Sequence, residues 1–457
     1  MVVGLKTAAE TSDGASLVEN EIITERFRYI NDEMKQIGTK EINNDAKENR
    51  MADVTRQEPI QTETVVDYGV CGEEFLQVLL EGATVPLNTQ VPMNSRPPWM
   101  DAELMKKGRE FGMKYLFGIV YAQMLSLAIL FSFRGGLEPL IFTGKSGTPF
   151  TAFQRYLSTV FRVLSWYQSD VFDEDSEAHK NMAVVRNLHA SISRRMNEAN
   201  RDDLKSKVTL EGKEIWCTHL ETLKKDLNEF KPDCLSCPFL EISSLARNDF
   251  TESGKVVYVN QLDLSVTQFG FVALGILYPQ QFGVHDATEE DFRGFAHLWR
   301  CLGYLLGIED RYNICSSEDL EVTRARCRAV IEKWAKPSLK EVTPDWEHMF
   351  RCVIEGISYY VPGNNFSVAV AYLLWVLDIP YSNLLAKMTW MERMLFHTHC
   401  FVLNYMMRIP GNLRFSNFLL NRSLRRARNP SIEWLREKRE KVYDYQKLGS
   451  PTVGTGS

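Results

Sequence analysis

The chain has 457 residues, with 53 Lys and Arg against 59 Asp and Glu and a formal net charge of -6 at pH 7. That balance excludes a generally basic nucleic-acid binder, and 44% hydrophobic with 25% charged residues is a globular composition, long enough to enclose a cofactor-sized cavity. Nine scattered cysteines and no apolar N-terminal leader argue against a disulfide framework and for an intracellular, reducing setting.

Residues 1–65 are polar and hold only two aromatics, Phe27 and Tyr29. Such a segment buries too little apolar area to offset its ordering entropy, so it is expected to be disordered, with one transient helix near 18–37. Residues 66–100 read as an extended arm, with a Pro-rich run from Val91 to Trp99. From 101 to 410 the apolar spacing is helical almost throughout, and the expected fold class is all-α: one large helical domain around a pocket. Tyr115 to Phe133 is nineteen residues without a formal charge, long enough to span a bilayer and equally suited to a helix buried on all sides.

Cys234 and Cys237 form the one close cysteine pair; Pro238 follows where a c-type haem attachment needs histidine, and no second pair completes a zinc site. Lys255 to Val259 is a short extended piece, while Val266–Leu277, Phe292–Ile308 and Phe366–Leu377 are apolar helical patterns. His397 and His399, two residues apart, face different sides of their helix, which argues against joint metal ligation. Residues 411–457 read as a basic helix and flexible tail. Residues 408 to 441 hold ten bases against three acids, and Arg422, Arg425, Arg426 and Arg428 form either a solvated helix face or salt-bridged tail, the commoner outcome for so short a run, or a cluster that draws an anionic membrane surface in a peripheral contact.

The chemistry centres on two helices. Within Ala152–Thr159, Arg155 and Thr159 are four apart and share a face, one turn from each other. Thirty residues after Thr159, His189 sits on a stripe with Val185, Leu188, Ile192 and Met196. An imidazole on an apolar face, with a guanidinium and a hydroxyl on a neighbouring helix, is what a buried haem iron needs as axial ligand and polar opposite wall. Other chemistries lack their letters: there is no Glu-x-x-His pair for a di-iron bundle, no His-Glu-x-x-His zinc helix, no complete phosphate loop at Gly144-Lys145-Ser146, and no Gly-x-Ser-x-Gly elbow.

Glu138-Pro139, Arg155-x-x-x-Thr159, Arg186-x-Leu188-His189 and the later run from His297 through Trp299 to Leu306-Gly307-Ile308 together resemble the catalytic-domain family of the rubber oxygenases (latex-clearing proteins) and the endoplasmic-reticulum-bound oxygenases, over roughly residues 100 to 400. The resemblance implies haem b, with His189 as the iron ligand and Arg155 and Thr159 lining the opposite side. It also implies a core helix at 115–133. Trp299, in the last of these motifs, either packs against the cofactor or fills core, the more common place for a tryptophan at helical spacing. Where rubber oxygenases carry a distal lysine, this chain has Ser158, a poor iron ligand, so a lysine-capped resting state is not expected. Glu138 is the nearest carboxylate upstream of Arg155 and the candidate general base. The implied function is oxygenation of a carbon-carbon double bond in an apolar, isoprenoid-like substrate by molecular oxygen, with Arg155, Thr159 and Ser158 at the reacting face, in the cytoplasm or on the endoplasmic-reticulum membrane. The alternative is a non-catalytic haem- or lipid-binding protein that keeps the fold.

Overall fold

The computed structural model describes residues 72–231, 257–431 and 433–438. The disordered segment expected at 1–65, the pair Cys234 and Cys237, and most of the tail lie outside the described residues. The chain divides into two units, one of residues 65–429 with 438–457 and the other of 1–64 with 430–437; of the second only part of 430–437 is described, a helical piece starting at 433. The first unit holds everything below.

Among the described residues there are helices, turns and one isolated bridge between Pro86 and Asn260, and no strand. The helices used here are α1 (Glu73–Glu81), α2 (Ala102–Lys114), α3 (Leu116–Ser132), α4 (Arg134–Thr143), α5 (Pro149–Gln168), α6 (Glu177–Glu198), α7 (Gln261–Leu277), α8 (Glu289–Leu305), α9 (Pro344–Ser358), α10 (Phe366–Val376), α11 (Trp390–Asn404) and α12 (Asn412–Arg428). The arm expected at 66–100 therefore carries a helix, α1, which buries Phe75, Leu76 and Leu79. The described part of the piece expected to be extended at Lys255–Val259 is a bend, with Val259 at φ 58°. α12 joins the helical unit, packing on α3 and α5, where a boundary at 410 was expected.

Local sequence explains the helix starts. Asp101 accepts the Glu103 and Leu104 amides at 2.8 and 3.0 Å, and Thr148 and Thr151 form a reciprocal cap with Pro149 in the first turn of α5; each leaves fewer first-turn amides unpaired. α2 lies against α8 at backbone distance: a Cβ on Gly108 would stand 2.2 Å from the Gly294 carbonyl. The uncharged run became α3, whose residues are mostly buried among α7, α9 and α10. No single described helix is long and apolar enough to cross a membrane; α2 and α3 qualify only as a pair, bent by 87°.

Candidate functional site

α5 and α6 pack together and bring Arg155 and Arg162 within electrostatic reach of His189, while of the predicted residues only Thr159 lines the cavity described below. On α5, Arg155, Ser158, Thr159 and Arg162 follow each other at helical spacing, all half-buried. On α6 the buried stripe is Ala178, Met182, Arg186, Ser193 and Met196. Val185, Leu188 and Ile192, expected to form the buried face with His189, are only half-buried. The helix is thus rotated from the expected setting, because a guanidinium takes a core position.

Arg186 is 4% exposed, and neither terminal nitrogen has a hydrogen-bond partner. Burial holds its affinity for the proton down, opposed in part by the neighbouring Tyr304. One turn on, His189 has Nδ1 sealed from solvent and unpartnered. Its pKa is pushed down to about 4, first by burial and then by the Arg155 and Arg162 guanidinia. The imidazole is therefore neutral at any ordinary pH, the form that can donate a lone pair to a metal. Arg155 Nη1 reaches Thr143 Oγ1 at 3.3 Å and Ser146 Oγ at 3.4 Å, long contacts to neutral hydroxyls. Among the described residues no carboxylate acts on Arg155, Arg186 or His189. A buried cation without a partner costs several kcal/mol, and Arg186 is such a group.

Thr159 donates its hydroxyl to the Arg155 carbonyl at 3.1 Å, leaving its lone pairs to face outward. It stands on the wall of a cavity of about 290 Å³, with Val160 and Val163 beside it, Met124 and Leu127 from α3, and Phe271 from α7. The wall is completed by Thr398 and Val402 of α11 and Leu420 of α12. Among the lining residues, Pro362 and Thr398 are exposed, which places the opening beside them.

The other predicted residues fall as follows. Trp299 is 1% exposed, stacked on Phe271 at 4.6 Å between ring centroids, so it backs the cavity wall through that ring. Ser158 lies on the α5 stripe and Glu138 is buried on α4. His297 is a structural group: its Nε2 accepts the Asp101 amide at 2.9 Å, beside the cap of α2. His399 lines the cavity, stacked on Tyr121, while His397 is exposed, so the two do face apart. Among the described residues no group of three or more His, Cys, Asp or Glu could hold a bare metal ion.

Sequence reasoning missed the unpaired charge of Arg186 and the role of Arg162, for which the i, i+7 relation to Arg155 was the available signal. It also missed a second constellation. Ser367 Oγ lies 3.2 Å from His219 Nε2, with the fully buried Glu347 behind it. Arg351 donates to His219 Nδ1 at 2.9 Å, so the proton sits on Nε2 and is given to Ser367. A general base needs the opposite tautomer. This network is a clip instead: Glu347 accepts the Thr218 and His219 amides at 2.8 and 2.9 Å and ties that loop to α9.

No protein-family model matches the chain, and no curated protein does. Among solved structures the chain is similar to the latex clearing protein LCP in its closed state, at 14% identity, covering 73% of this chain and 76% of that one, with a TM-score of 0.44.

Proposed function

We propose that the chain is a haem-b-dependent oxygenase that acts on a carbon-carbon double bond of an apolar, isoprenoid-like substrate with molecular oxygen. The observation that carries the reading is the neutral, unpartnered imidazole of His189 one turn from an unpaired buried guanidinium. A b-type haem asks three things of a protein: a neutral axial nitrogen, countercharge for its carboxylates, and apolar walls. His189 supplies the first, Arg186 fits the second, and the walls around Thr159, Val160 and Val163 fit the third.

When bound, the haem iron supplies the oxygen chemistry. The chain's own residues do the rest. Arg155 keeps its proton at any working pH and offers N–H donors toward developing negative charge on the reacting oxygen. Thr159 presents hydroxyl lone pairs that can order a water or accept a proton-bearing group. The apolar cavity admits a hydrocarbon chain and excludes water, which strengthens both interactions. Cleavage of the double bond that leaves one oxygen atom on each carbon consumes a single dioxygen and needs no outside electron donor.

Haemin-loaded protein incubated with squalene should consume oxygen and yield carbonyl products detectable by a hydrazine reagent. Loaded protein that binds squalene without oxygen uptake would overturn the catalytic reading and leave the non-catalytic binding protein.

A further inference from the structure

The large apolar side chains that the described residues expose lie in one short stretch, from Trp390 to Leu419. On α11, Trp390, Met394, Phe401 and the following Tyr405 recur at helical spacing, and on α12 Phe415 and Phe418 do the same, each between 51% and 72% exposed. Patches of this kind mark an interaction surface. The charge around them is mostly of one sign: apart from Glu392, whose carboxylate accepts the Thr389 amide at the start of α11, residues 390–432 hold seven arginines and no Asp, Glu or Lys. All seven are exposed, and Arg422, Arg425 and Arg426 continue the spacing of Phe415 and Phe418 along α12. The inner sides of the same two helices, Thr398, Val402 and Leu420, line the apolar cavity, and Thr398 is at once exposed and on its wall.

We infer that the outer face of α11 and α12 docks on an anionic lipid bilayer, with the cavity mouth at Thr398 turned to the lipid so that an apolar substrate passes from membrane to cavity without crossing water. Aromatic and aliphatic side chains entering the headgroup boundary beside arginines is the pattern of a protein that lies on a membrane without spanning it. A protein partner would need carboxylates matched to scattered arginines; a phosphatidylserine surface presents negative charge everywhere. The inference rests on this surface and not on the haem, and the apo-protein tests it.

Purified full chain should float with phosphatidylcholine vesicles containing phosphatidylserine, far less with phosphatidylcholine alone, and should be partly released by salt. Each juxtamembrane arginine contributes roughly fivefold in partitioning, so Arg422→Gln, Arg425→Gln and Arg426→Gln together should weaken binding about a hundredfold. Phe401→Ser with Phe418→Ser should abolish binding at unchanged melting temperature, since both rings are exposed. Thr398→Trp should leave vesicle binding intact and slow the transfer of diphenylhexatriene from vesicle to protein. Failure of the parent to bind serine-containing vesicles at low ionic strength overturns the inference. So does a parent that is dimeric in solution and becomes monomeric, without any vesicle binding at stake, on Phe401→Ser with Phe418→Ser, which would make the face an interface between copies. Unchanged transfer in Thr398→Trp would overturn the membrane-facing route.

Discussion

Replacing Arg186 by methionine separates a ligand-binding charge from a structural one. The guanidinium is 4% exposed with no partner for its terminal nitrogens, so the apo-protein carries its desolvation uncompensated. Methionine keeps an unbranched apolar stem of shorter reach and removes the charge. By analogy with buried ions exchanged for apolar side chains, the apo-protein should gain roughly 1–4 kcal/mol, read as a higher urea midpoint at unchanged slope. Haemin binding should move the other way. A hydrogen bond to a charged group is worth roughly 1.5–3 kcal/mol, so affinity should fall about 10- to 150-fold. Haemin dimethyl ester, which lacks the carboxylates, should bind parent and variant alike. An Arg186→Met protein that is less stable than the parent and binds haemin unchanged would refute the reasoning and assign Arg186 to packing against α8, where Tyr304 is its polar neighbour.

His189 titrates near 4 in the folded apo-protein against an unfolded value of about 6.5. Its folded pKa is depressed, so the unfolded chain binds the extra proton between those values and stability falls as pH drops from about 6.5 to about 4, by at most about 3 to 4 kcal/mol. The stability difference between His189→Leu and parent should be flat above pH 6.5 and shift in the variant's favour below it; a pH-independent difference would contradict a neutral buried ring. Arg155→Leu should retain haemin while turnover drops by roughly 10²–10³, as for the loss of a donor at the reacting oxygen, and Thr159→Val, which removes only hydroxyl lone pairs, should retain haemin with a smaller drop, both checked by oxygen uptake; undiminished turnover in both would move the reacting face elsewhere. Gly108→Ala should cost about 3 kcal/mol, since its Cβ meets the Gly294 carbonyl at 2.2 Å and α2 must shift from α8; an unchanged thermal midpoint would count against that contact.

Helical periodicity made much of the framework legible, because one-face spacing is a local property: Arg155 and Thr159 do share a face, and the uncharged run at 115–133 is a core helix. It failed where a position depends on what packs against it. A pattern that sends charges outward could not put Arg186 in the core of α6, nor leave Phe415 and Phe418 in solvent on α12. The Glu347 clip joins residues about 130 apart in sequence, a relation that spacing cannot express. The opposed sides of α11 and α12, one lining a cavity and one exposed, look from sequence like a single apolar helix, since both faces use the same residue types.

The absorption spectrum tests the central claim most directly. Full-length protein loaded with haemin should show a Soret band, give a b-type pyridine haemochrome, and release the haem to acidic solvent. His189→Ala should keep its helical circular dichroism and lose most of the bound haem. No Soret band in the reconstituted parent, or the same band and occupancy in His189→Ala, would contradict the account.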